Sequence, residues 1–82
     1  MVKKYFVYVI KSLSHDTRYV GVAADVTKRL SGHNAGKCRY TKGRLPWKVI
    51  HQEEKQTLSE ARKREIFFKS GQGRKLLDEI LS

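Results

Sequence analysis

Eighty-two residues carrying 18 Lys plus Arg against 8 Asp plus Glu, a formal net charge of +10, imply a single domain over 1–82 with one compact core. Such an excess of cations favours nucleic acid as the partner, with a basic but merely soluble or ribosome-associated protein as the competing reading. No stretch reaches the roughly 20 apolar residues of a membrane span, the apolar run after Met1-Val2-Lys3-Lys4 is too short for a secretory signal, and Cys38, the only cysteine, excludes an internal disulfide and a thiolate zinc site. A cytoplasmic protein without membrane contact is expected.

Tyr5 to Ile10 is apolar throughout and rich in aromatic and β-branched residues, the composition of a strand buried on both faces and central in a sheet. Ser14-His15-Asp16-Thr17 reads as a turn and Arg18 to Val22 as a second strand of the same type. So short a connection makes an antiparallel hairpin. Asp25 is a good N-cap for a helix to about Asn34, with Val26 and Leu30 toward the core and Gly36 as a stop. Arg29 and His33, four residues apart, share one flank of that helix, within reach of the sheet edge.

Ala35 to Arg44 lacks apolar periodicity and carries Lys37, Arg39, Lys42 and Arg44 around Tyr40, so an exposed basic loop is predicted. Pro46 permits an edge strand to begin, in which Trp47, Val49 and His51 alternate with Lys48, Ile50 and Gln52. Thr57-Leu58-Ser59-Glu60 fits a capping box that opens a helix to about Ser70, ending at Gly71. Gly73 is expected to separate it from a closing helix with an apolar stripe of Leu76, Leu77, Ile80 and Leu81. The whole reads as an α/β chain of the α+β kind, a three-stranded antiparallel sheet flanked by helices.

Within the second long helix, Leu58, Ala61, Glu65 and Phe68 follow helical spacing, so a carboxylate stands where the buried stripe asks for an apolar residue. A buried carboxylate needs a cation, and either an arginine (Arg29 or Arg62) or a metal would serve. Taken alone, Tyr8 and Tyr19 read as core aromatics, Arg29 as a solvated arginine, and His33 as a hydrogen-bonded or surface histidine.

The ordered set changes the balance. Phe6-Val7-Tyr8, Tyr19-Val20-Gly21, Arg29 with His33, and Glu65 within Ala61-Arg62-Lys63-Arg64-Glu65-Ile66-Phe67-Phe68-Lys69 together resemble the GIY-YIG nuclease superfamily. The resemblance runs from Tyr5 to about Leu81 and is closest to small stand-alone bacterial members. In those members a segment like His33-Asn34-Ala35-Gly36-Lys37 leads to Tyr40-Thr41 and Arg44-Leu45-Pro46-Trp47. It implies a GIY-YIG-like fold and an endonuclease leaving 5′-phosphate and 3′-hydroxyl ends, with Mg²⁺ or Mn²⁺ as cofactor and Glu65 as the metal ligand. Tyr8 would be the general base, Tyr19 would orient the water, Arg29 would neutralise phosphoryl charge and His33 would assist the base or bind phosphate.

Lys37, Arg39, Tyr40, Lys42, Arg44 and Lys69 are the expected nucleic-acid contacts. Single-stranded or branched DNA is favoured, because stacking on Tyr40 or Trp47 suits unpaired bases; both aromatics also suit packing. Three positions depart from the family pattern. Phe6 replaces the first motif glycine, Val22 stands where the excinuclease relatives have a lysine, and Leu76 and Leu77 occupy the stretch where some relatives carry an asparagine. A catalytically inactive nucleic-acid-binding module of the same fold is the alternative.

Overall fold

The computed structural model describes residues 4–81. Its elements, in chain order, are β1 (Tyr5–Ser12), β2 (Arg18–Ala23), α1 (Val26–Asn34), a 3₁₀ turn at Lys42–Arg44, β3 (Trp47–Lys55), α2 (Leu58–Lys69) and α3 (Gly71–Leu81). The three strands form one antiparallel sheet in the order β2-β1-β3.

β1 is central because both of its faces are apolar. Val7 and Val9 join Val20, Ala61, Phe68 and Leu77 on the side covered by α2 and α3, while Tyr8 and Ile10 join Val26 and Trp47 on the side covered by α1. β2 lies at the edge of the sheet and is only partly buried, unlike the doubly buried strand expected from its composition. Strict alternation along β3 also fails. Val9 faces His51 whereas Ile10 faces Val49, so Ile50 is an extra, bulged residue. The bulge puts two successive residues on the α2 side: Ile50 packs in that core and His51 lies edge-on to Phe68, while Val49 packs with the α1 side.

The helix caps follow the sequence. Asp25 accepts from the Lys28 backbone N–H and Thr57 from that of Glu60, each satisfying an orphan donor of a first turn. Gly36 adopts φ +78°, the left-handed backbone that ends a helix. Two expectations about the later helices are corrected. Gly73 lies inside α3 rather than between helices, and it is there because a Cβ at that position would sit 1.8 Å from the Phe67 carbonyl oxygen. Ser70 makes the break instead: its hydroxyl donates to the Phe67 carbonyl and accepts from Gly73 N–H, capping α3. Leu58 and Ile80 fit apolar stripes by their spacing, yet they are 43% and 44% exposed.

Candidate active site

Tyr8 and Tyr19 project from neighbouring strands on the α1 side, two register positions apart: Tyr8 faces Gly21 and Ile10 faces Tyr19. The glycine opposite Tyr8 is a steric requirement. A Cβ on Gly21 would lie 2.5 Å from the Tyr8 hydroxyl oxygen and 2.7 Å from Cζ, so the phenol lies across β2 only because residue 21 has no side chain. The two rings are thereby 6.4 Å apart between centroids.

His33 does not stop at the sheet edge. It is 1% exposed, its Nε2 stands 3.0 Å from the Tyr8 hydroxyl and its Nδ1 2.8 Å from Thr41 Oγ1. Thr41 Oγ1 in turn donates to the Cys38 carbonyl at 3.4 Å. One directionality satisfies the chain: Tyr8 O–H donates to His33 Nε2, and His33 Nδ1–H donates to Thr41. With that directionality assigned, His33 is the neutral Nδ1–H tautomer and turns a proton acceptor toward Tyr8. Burial, followed by the Arg29 charge, pushes its pKa below the ordinary histidine value.

Tyr8 shifts the other way. Burial raises its pKa above the usual 10.0, and the Arg29 guanidinium against the phenol opposes that rise only in part. The same contact stabilises the Arg29 charge. The arginine is otherwise exposed on α1, so it joins a buried phenol to solvent.

The loop after α1 is anchored, not merely exposed. Asn34 bonds both the N–H and the carbonyl of Trp47 (2.7 and 3.0 Å), Trp47 Nε1 donates to the Thr41 carbonyl at 2.9 Å, and buried Ser12 donates to the Arg44 carbonyl at 2.7 Å. These ties hold Thr41 against His33 and Tyr40 beside Tyr19, with ring centroids 5.6 Å apart. Lys37, Arg39 and Lys42 remain exposed, while Arg44 is half-buried and lies over the Tyr40 ring at 5.5 Å. Thr41 and Asn34, like Gly21, carry no assigned role in the sequence reading. Their importance comes from tertiary pairing, and the only sequence signal is that they fall within the family-like segments.

Glu65 approaches from α2, which packs on the opposite side of the sheet. It is 9% exposed, and its carboxylate meets Lys69 at 3.2 Å and Arg62 at 3.5 Å. Arg62 is an expected partner; Lys69, one turn on, is the nearer one, and Arg29 is engaged with Tyr8 instead. Lys69 also reaches to 6.0 Å from the Tyr19 ring, so it links Glu65 to the tyrosine pair. Among the described residues no group of three or more His, Cys, Asp or Glu side chains gathers as a metal cage.

Two grooves border this cluster. One, of about 720 Å³, passes Tyr19, Tyr40 and Lys69. The other, of about 1050 Å³, runs along α1 past Arg29 and Lys37. No helix among the described residues is long and apolar enough to cross a membrane.

The sequence pattern of the GIY-YIG catalytic domain matches residues 4–77. The chain is 48% identical over 80 residues to UPF0213 protein lin0209 of Listeria innocua, covering 96% of this chain and 87% of that protein. It is 49% identical over 67 residues to UPF0213 protein lwe0147 of Listeria welshimeri, covering 80% and 73% respectively. The fold is similar to the solution NMR structure of UPF0213 protein BH0048 from Bacillus halodurans, with a TM-score of 0.57 and 26% identity, covering 94% of this chain and 84% of that one.

Proposed function

Because the chain belongs to the GIY-YIG catalytic domain family, and so to a nuclease superfamily, we propose that it is a divalent-metal-dependent endonuclease that hydrolyses phosphodiester bonds in DNA, with unpaired or branched strands preferred. The observation that carries the reading is the hydrogen-bonded series from Tyr8 through His33 to Thr41, with a guanidinium on the same phenol. A purely structural tyrosine needs only one partner. This one has an acceptor for its own proton and a cation beside its oxygen, which is what a proton-transferring phenol requires.

In the proposed reaction Tyr8 oxygen takes a proton from the attacking water as its own proton passes to His33 Nε2. No free phenolate is needed, which accommodates the raised pKa of Tyr8. His33 is transiently an imidazolium held by Thr41, a charge that its burial disfavours; as the P–O3′ bond breaks, the 3′ oxygen takes a proton from solvent water, and the proton on His33 returns to Tyr8 while the one Tyr8 took from the attacking water leaves to solvent. Arg29 faces the charge that grows on the phosphoryl oxygens, and Tyr19, next to Tyr8, orients the water.

Glu65 suits Mg²⁺ or Mn²⁺ as a single hard oxygen donor, since such ions keep several waters and complete their shell with substrate phosphate. When bound, the ion would polarise a phosphoryl oxygen and stabilise the leaving 3′ oxygen. Lys69 and Arg62 neutralise the carboxylate otherwise, and each has an alternative partner in a phosphate.

The second reading, a nucleic-acid-binding module without catalysis, is favoured by those same two ion pairs, which satisfy Glu65 without any metal. Incubating the protein with single-stranded, duplex and branched DNA and with RNA, in Mg²⁺, Mn²⁺ or chelator, separates the two. Metal-dependent cleavage of a DNA substrate is the expected result. Binding without cleavage under every condition would leave the module.

A further inference from the structure

We infer that the groove between the Tyr19 end of β2 and the α2–α3 corner is a subsite for one unpaired nucleotide, with Tyr40 as the stacking face and Arg74 as a phosphate contact. This rests on the proposed nuclease function only for its place beside the reacting phosphate.

The groove's volume, about 720 Å³, lies within the roughly 300–1,000 Å³ of sites that take a small-molecule-sized group. Phe68 and Leu77 supply apolar lining, and Tyr19, Tyr40, Lys69 and Arg74 stand around it together with Arg18 and the carboxylate of Asp16. Tyr40 is 56% exposed, so it is not a core aromatic. Nor is it loose: the next residue, Thr41, is fully buried and bonded to His33, and Arg44 both covers the Tyr40 ring and donates to its carbonyl at 3.3 Å. An aromatic ring held in place but exposed loses little further freedom when a base stacks on it. Only an unpaired base offers its full face for such a contact.

The cations of the groove differ in availability. Arg18 is tied to Asp78 at 2.8 Å and Lys69 to Glu65 at 3.2 Å. Arg74, exposed near the start of α3, has no ion-pair partner among the described residues and is the one ready to meet a phosphate. Base-stacking surface, apolar lining and an uncommitted guanidinium together describe a nucleotide.

The test uses single-stranded DNA and RNA oligonucleotides with 2-aminopurine at successive positions, titrated in chelator so that cleavage plays no part. One position should be quenched on binding, in DNA or in both polymers. Tyr40→Leu should abolish that quench and weaken binding about tenfold, as expected for a lost stack. Arg74→Ala should weaken binding several-fold and make its logarithmic salt dependence shallower by about 0.7. Lys63→Ala, on a different face beside Arg64 and Phe67, should change neither. An unaltered quench and affinity in Tyr40→Leu would overturn the inference, as would equally tight binding of the corresponding duplex. Both readouts are independent of cleavage, so an inactive protein that passed them would lose the nuclease function and keep the subsite.

Discussion

The two sides of the sheet bring the candidate residues together by different physics. On the α1 side Tyr8, His33 and Thr41 are buried, uncharged and hydrogen-bonded to one another. At the α2 end Glu65 is held by Lys69 and Arg62, whose side chains are 52% and 63% exposed. Buried hydrogen-bonded networks are costly to disturb, whereas ion pairs with solvent-facing cations exchange partners readily. The contrast assigns precision to the first region and exchangeability to the second. Under the proposed function the first would suit a proton-transfer series positioned before substrate arrives, and the second a carboxylate that must release its lysine to take up a metal.

Substitutions on the α1 side should therefore damage activity and stability together. The largest effect is expected for Tyr8→Phe, which removes the transferring hydroxyl and leaves His33 Nε2 unpaired in the interior. Cleavage should fall about 100-fold or more and stability by about 1–2 kcal/mol; single-turnover rates and urea unfolding on the same sample would show whether both move. Next comes Gly21→Ala. Its Cβ would meet the Tyr8 hydroxyl at 2.5 Å, displacing the phenol from His33 and Arg29, and a misplacement of about 1 Å costs on the order of 100-fold in rate. A fully active Gly21→Ala protein would mean that the position of the phenol is not critical.

The charged regions should behave in the opposite way. Replacing Lys37, Arg39 and Lys42 together with alanine removes exposed cations that support no buried contact. Binding should weaken and its salt dependence become shallower, with the melting temperature nearly unchanged. An unchanged salt slope would place the nucleic-acid path elsewhere.

Acidification should distinguish the networks with the smallest effect. His33 titrates below the ordinary 6.5 when folded, so the unfolded chain binds its proton first. Its contribution is complete above that value and is lost as pH falls through the lowered one. On β3, burial opposes the charge of Glu53, but bonds from Arg64 and His51 outweigh it and hold its pKa down to about 2 from 4.5. That contribution is present above about 4.5 and is lost only toward about 2. Unfolding free energies measured across this range should thus decline in two steps, and removal of the upper one in His33→Gln would assign it.

Most of the fold is legible in the sequence because its signals are local. An apolar run marks the central strand, Asp25 and Thr57 cap their helices, and Gly36 ends one. The features that are not legible depend on how separate elements pack against one another. The β3 bulge is visible only in the pairing with β1, where Ile50 has no partner, and Gly73 is dictated by the approach of the Phe67 backbone. In the candidate site, Tyr8, Tyr19, Arg29, His33 and Glu65 are identifiable from type, order and family likeness. The roles of Thr41, Asn34 and Gly21 are not, since a threonine eight residues beyond a histidine carries no pattern until the loop is folded back by Trp47 and Ser12.

The proposed chemistry stands or falls on whether Glu65 serves a metal and not merely its two cations, and Glu65→Gln separates these roles. The substitution keeps size and hydrogen-bonding reach but removes the charge. Cleavage, nucleic-acid affinity and thermal unfolding should be measured on one preparation across a Mg²⁺ titration. If Glu65 is the ligand, cleavage collapses at low Mg²⁺ while the protein stays folded and binds nucleic acid as well as before or more tightly, because a negative charge has left a positive surface. A well-folded Glu65→Gln protein with full metal-dependent activity would refute metal ligation by Glu65.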